Sequence, residues 1–98
     1  MSQVKVIYHG LIKNKVDSHE DVIYISNGAT VKELLYLLVE RYGKEFRASL
    51  LASDWQLLPT TMIHLNDHDI NEIDGLNTKL QDGSELCVTV MSYIIRGG

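Results

Sequence analysis

The stretch TVKELLYLLVERYG, Thr30 to Gly43, carries the strongest structural signal in the chain. Val31, Leu34, Leu35, Leu38 and Tyr42 recur at helical spacing and form one apolar stripe. Lys32, Glu33, Glu40 and Arg41 fall mostly on the other side. Thr30 is placed to cap the first turn, and Glu33, three residues on, can reach back to it as a capping box. Gly43 then offers a left-handed stop. A single apolar stripe needs a surface to cover, and this one reads as a helix packed on a sheet rather than as a binding groove.

Upstream, Val4, Val6 and Tyr8 alternate with Lys5, Ile7 and His9, the period-two pattern of a strand that ends at Gly10. The polar run Lys13 to Glu20 reads as a turn-rich connection. Asp21 to Ile25 is a second β-rich run, stopped by Ser26-Asn27-Gly28, so the two predict an N-terminal hairpin. Downstream, Phe46, Leu50 and Leu51 predict a short second helix. Pro59, the only proline, marks the approach to a third strand, Met62 to Leu65, because it cannot donate a ladder bond inside one. Asn66 to Asp69 reads as a tight turn, with Ile70 opening a short return strand. Asp82-Gly83 is a further turn signal. Glu85 to Met91 is a long β-prone run in which Leu86, Val88 and Val90 alternate with Cys87, Thr89 and Met91.

Strands around one long helix predict an α+β domain, a mixed sheet of four to five strands packed on one main helix. The first and last strands are both long and apolar. They are expected to lie side by side in the centre as parallel neighbours, with the hairpin partner beyond the first. The packing partners expected for Leu34, Leu35 and Leu38 are Val6, Val88 and Val90.

The 98 residues suit one domain. Hydrophobic residues make up 45%, too many for a disordered chain. The net charge is −4, and it is uneven: residues 1–47 carry +1 and residues 48–98 carry −5. That balance argues against a nucleic-acid partner, which would require lysine and arginine to displace phosphate counterions. One cysteine excludes an internal disulfide and a cysteine-only zinc site. No apolar run approaches the ~20 residues of a membrane helix, and MSQVKVIYHG lacks the pattern of a signal peptide. A cytoplasmic domain without membrane attachment or bound cofactor is the expectation.

Candidate chemistry is sparse. His9, His19, His64 and His68 are scattered over strands and loops. Cys87 lies in a strand rather than at a helix N-terminus, where its thiolate would be stabilised. It could pair with His64 if their strands are neighbours, but residues on a strand surface are the simpler reading. His64 to Asp69 superficially resembles a metal cluster. Turns favour Asn and Asp for backbone reasons, and no metal site is expected there. No phosphate-binding glycine loop is present. The remaining signal is the pair Gly97-Gly98, a few residues past the last strand.

Pro59, then Met62 to Ile70, then Asp74-Gly75-Leu76-Asn77-Thr78-Lys79-Leu80-Gln81-Asp82-Gly83-Ser84-Glu85, then Gly97-Gly98, resemble the MoaD/ThiS family. This family takes in the small subunit of molybdopterin synthase and the thiamine-pathway sulfur carrier. The helix opening Thr30 to Leu35 also fits. The resemblance implies a ubiquitin-like β-grasp fold at residues 1–92 and a flexible C-terminal tail at 93–98. The chain departs from the family in its last residues: Ser92-Tyr93-Ile94-Ile95-Arg96 stands where members often carry prolines, and Arg96 before the glycines is reminiscent of ubiquitin.

The resemblance further implies a sulfur carrier, a protein cosubstrate rather than an enzyme. An activating enzyme, using ATP, would adenylate the Gly98 carboxylate, and a sulfur donor would convert it to a thiocarboxylate for molybdopterin synthesis. A larger synthase subunit would then receive the tail. Two glycines lack Cβ atoms and let the backbone pass close to the walls of a narrow active site. The alternatives are a modifier joined to target-protein lysines through Gly98, and a non-reactive β-grasp interaction module. Cys87, Thr89 and Met91 are expected on the uncovered sheet face beside Met62 and His64, making a partner-binding surface with Arg96.

Overall fold

The computed structural model describes residues 1–92; Tyr93 to Gly98, and with them the expected tail, lie outside the described residues. Strand β1 spans Ser2–Gly10 and β2 spans Glu20–Ile25, paired antiparallel with Val4 opposite Ile23. Helix α1 covers Val31–Tyr42 and helix α2 Lys44–Leu50. Strands β3 (Thr61–Leu65), β4 (His68–Asp69) and β5 (Glu85–Val90) complete one sheet in the order β2-β1-β5-β3-β4. β1 and β5 are parallel central neighbours, with Val6 opposite Leu86; the other pairs are antiparallel. This is the mixed sheet and main helix expected. No helix among the described residues is long and apolar enough to cross a membrane.

The alternation in each strand decides which side chains meet α1. Val4, Val6 and Tyr8 of β1, Ile63 of β3, and Leu86, Val88 and Val90 of β5 are buried in one cluster with Val31, Leu34, Leu35 and Leu38. Burying each such side chain contributes about 1.5–3 kcal/mol. The capping box forms as expected: the Glu33 N–H donates to the Thr30 hydroxyl at 3.2 Å, and the Glu33 carboxylate accepts from the Thr30 N–H at 3.3 Å. Gly43 ends α1 differently from the expected left-handed stop. Its φ of 93° is positive but its ψ of −169° is extended, and the same residue opens α2.

Three local elements differ from the sequence pattern. The β1–β2 connection winds through a 3-10 turn, Leu11–Lys15, that buries Ile12. The return strand is β4, at His68–Asp69, and Ile70 instead begins a 3-10 turn and is fully buried. The Asp69 carboxylate accepts from the Asn71 N–H at 2.9 Å, which caps that turn and breaks the strand there. Trp55 adopts a φ of +65°, an outlier for a bulky residue. Its ring lies 4.1 Å from that of Tyr36 on α1, and the Arg47 guanidinium stands 5.3 Å over it. These contacts hold the segment after α2 against the helix layer, and Phe46 and Leu50 enter the same core. The outer sheet face is left uncovered by it.

One polar group is built into the edge of the core. The Asp21 carboxylate accepts from the hydroxyls of Tyr8, at 2.7 Å, and Tyr42, and lies 3.6 Å from the Arg41 guanidinium. Burial, then the bond to Asp21, pushes the Tyr42 hydroxyl up to about 12 and raises that of Tyr8 further. A raised folded pKa stabilises the fold below the ordinary tyrosine value of about 10. That stability is lost as pH rises from there through about 12. Asp21→Ala strands the buried Tyr8 hydroxyl and is expected to cost about 1–3 kcal/mol in urea melts at pH 7. Leaving stability unchanged would show this four-residue group to be incidental.

Candidate functional site

The face of the sheet turned away from α1 carries the odd residues of β1 and β5 and the even residues of β3. Register places them in rows. Glu20, Ile7, Cys87, His64 and Asp69 run across all five strands, and His9, Thr89 and Met62 form the next row. Ile7, Met62, His64, Cys87 and Thr89 are half-buried, and His9 and Met91 are exposed. Met91 lies just beyond β5, and its N–H donates to the Thr60 carbonyl at 2.9 Å.

Met62, His64 and Cys87 are therefore brought together as the alternation implied, with Met91 at the end of the same face. Arg96, Gly97 and Gly98 lie outside the described residues. Ile7 was not singled out beforehand, although it faces Cys87 directly in the parallel register. The signal was available, because Ile7 shares the parity of Lys5 and His9 in a strand expected to neighbour β5.

Chemically the face is a poor catalyst. Burial pushes the Cys87 thiol up, and the carboxylates of Glu85 and Asp67 push it the same way. The thiol therefore stays protonated at neutral pH, although His64 is its cross-strand neighbour. Among the described residues, no three His, Cys, Asp or Glu side chains come together in an arrangement that could hold a metal ion. What the face offers is a half-buried patch of apolar and weakly polar groups with charged residues at its margin. Lys5 pairs with Glu20 at 3.5 Å there. Exposed apolar groups gathered on one face mark a protein contact more readily than a reaction centre.

At the end of β5, a concavity of about 410 Å³ is lined by Leu11, Asn14, Lys15, Ser49, Thr60 and Met91. Gly10 closes the same end of the sheet. A Cβ built there would lie 2.2 Å from the Val90 carbonyl oxygen, so only glycine allows β1 and β5 to approach so closely.

The ThiS family model matches residues 6–88. No curated protein matches the sequence significantly. Several solved structures share the fold. The crystal structure of Haloferax volcanii small archaeal modifier protein 1 superposes with a TM-score of 0.78 at 15% identity, covering 94% of this chain and 100% of that one. A Pyrococcus furiosus protein provisionally described as molybdopterin converting factor, subunit 1, gives 0.74 at 20% identity, covering 94% and 100%. The Amycolatopsis orientalis BexX/CysO complex gives 0.74 at 21% identity, covering 93% and 98%. The fold they have in common with this chain is the ubiquitin-like β-grasp.

Proposed function

Because the chain belongs to the ThiS family of ubiquitin-like carriers and modifiers, we propose that it is a sulfur carrier for molybdopterin biosynthesis. In this reading an activating enzyme adenylates the Gly98 carboxylate with ATP. A carboxylate is a poor electrophile. The acyl adenylate makes its carbonyl carbon open to attack by sulfur, AMP leaves, and a thiocarboxylate results. The folded domain is recognised and the terminal residues react. The chain itself binds no cofactor and catalyses no step. The same reading places its work in the cytoplasm.

The observation that carries this reading is the family match over residues 6–88 together with Gly97-Gly98 shortly after β5. The Pyrococcus furiosus relative, with its molybdopterin description, favours that pathway for the sulfur. Intact mass after incubation with an activating enzyme, ATP and a sulfide source tests it. The expected result is the gain of one sulfur-for-oxygen exchange. A second reading, conjugation to target-protein lysines, is favoured by Arg96 immediately before the glycines. It would appear instead as higher-mass adducts on other proteins.

In this reading the activating enzyme or a larger synthase subunit docks on the outer face around Met62, His64, Cys87 and Met91, and Arg96 takes part in the contact. Met91 is 44% exposed, so Met91→Glu is expected to leave a denaturant melt nearly unchanged. Against an apolar partner the new carboxylate would be buried without a counter-charge. That costs more than the ~1.4 kcal/mol that a factor of ten represents. Pull-down or titration should show binding weakened about tenfold or more. Full affinity in this variant would remove Met91 from the docking face.

A further inference from the structure

β2 is an outer strand of the sheet, paired on one side only among the described residues. The bond from the Tyr8 N–H to the His19 carbonyl, at 3.0 Å, sets the phase of its ladder with β1. Bonded and non-bonded pairs alternate in an antiparallel ladder. Val6–Asp21, Val4–Ile23 and Ser2–Ile25 therefore exchange bonds, and Glu20, Val22 and Tyr24 turn their N–H and C=O groups outward. At Glu20 both groups are closed off by the Ser18 hydroxyl. It accepts from the Glu20 N–H at 3.3 Å and donates to the Glu20 carbonyl at 2.7 Å. Val22 and Tyr24 have no such cap among the described residues, and their side chains are 44% and 60% exposed. β2 also lacks the lysine or proline that commonly blunts an edge.

Beside this edge, between β2 and α1, lies a groove of about 280 Å³ lined by Met1, Tyr24, Ile25, Ala29, Glu33 and Leu37. Side chains of an added strand alternate between faces. Those opposite Val22 and Tyr24 would extend the outer face. Those opposite Ile23 and Ile25 would point to the helix side, where the groove is.

We infer that β2 binds an extended apolar peptide segment of a partner protein by strand addition, with one aliphatic side chain seated in the groove beside Ile25 and Leu37. The free backbone groups determine that the occupant is a strand, and the groove selects its inward residue. Glu33 in the groove wall, the one charged side chain among its lining residues, favours a basic residue flanking that segment. A second copy of this chain fits less well. The symmetric register that sets Val22 opposite Tyr24 also sets Asp21 opposite Ile25. That carboxylate is already held by Tyr8 and Tyr42, so the groove would stay unfilled. This surface uses neither the terminal glycines nor the side chains of Met62, His64 and Cys87.

The test uses the full chain and a blocked synthetic peptide, Lys-Lys-Ile-Val-Ile-Val-Lys-Lys, followed by amide NMR. A control of equal charge has both valines replaced by proline. The expected result is shifts centred on Val22, Tyr24 and Leu37, with the control binding at least tenfold more weakly. Val22→Pro removes a donor that β1 does not use, and should weaken binding at least tenfold. If that variant fails to fold, Leu37→Glu, on the exposed side of α1, should give the same loss. Equal binding of both peptides, shifts confined to Ile7, Met62, His64 and Cys87, or no shift would overturn the proposal. Sedimentation showing that the chain alone dimerises through β2 would also overturn it and assign the edge to a second copy.

Discussion

Deleting Gly98 is expected to abolish adenylation and to leave the melting temperature nearly unchanged. This result is expected because the two properties reside in different parts of the chain. The buried side chains that hold the domain together are drawn from residues 4–90. The proposed reaction needs only the carboxylate of Gly98 at the right depth in an activating enzyme. Removing one residue withdraws that group by about 3.3–3.6 Å of extended chain, more than the tolerance of a reacting pair. Appending one residue beyond Gly98 should have the same effect. Pyrophosphate release measured beside thermal melts of the same variants checks both halves. Adenylation retained in either variant would overturn the terminal-carboxylate mechanism.

Gly10→Ala is expected to damage the fold severely. Gly10 has a φ of +73°, and the added Cβ would meet the Val90 carbonyl oxygen at 2.2 Å. The backbone conformation alone costs about 1–3 kcal/mol for a residue with a Cβ. The contact adds to this, because both atoms belong to the central pair β1–β5 and neither end can move without breaking ladder bonds. A loss of about 3 kcal/mol or more is a large part of the roughly 5–15 kcal/mol that holds a domain together. It should lower the melting temperature by roughly 12–24 °C. Gly83→Ala is the control: its φ is +85°, but nothing lies within 4 Å of the added atom. Gly10→Ala should therefore be clearly worse. Equal losses would mean that the close approach to Val90 carries no energy of its own.

The layers of this fold were legible because parity is a robust signal. Val4, Val6 and Tyr8 in one strand and Leu86, Val88 and Val90 in another each determine a buried face. Once two strands are neighbours, the opposite parity determines the outer face. Parity alone therefore groups Met62, His64 and Cys87. What was not legible depends on contacts distant in sequence or on backbone excursions. Asp21 looked like the polar start of a strand. Its importance arises only when Tyr8, Tyr42 and Arg41 converge on it. Ile70 looked like a strand residue because it is apolar and follows a turn, yet the Asp69 cap winds the chain there into a 3-10 turn. The positive φ of Trp55 has no local sequence cue. It is held by Tyr36 and Arg47, which precede it by many residues.

The parallel pairing of β1 with β5 also dictates when the protein can exist. Val6 has its central neighbour only when Leu86 is present, so the middle of the sheet joins nearly the two ends of the domain. Contacts of such long sequence separation form late and slow the folding of a small domain. A ribosome-bound chain that has emerged only as far as β4 holds a hairpin and an amphipathic helix with a missing central strand. Its apolar stripe, Leu34, Leu35 and Leu38, has half a sheet to cover. Folding therefore waits for the last strand, and synthesis has by then all but reached the residues through which the carrier would react.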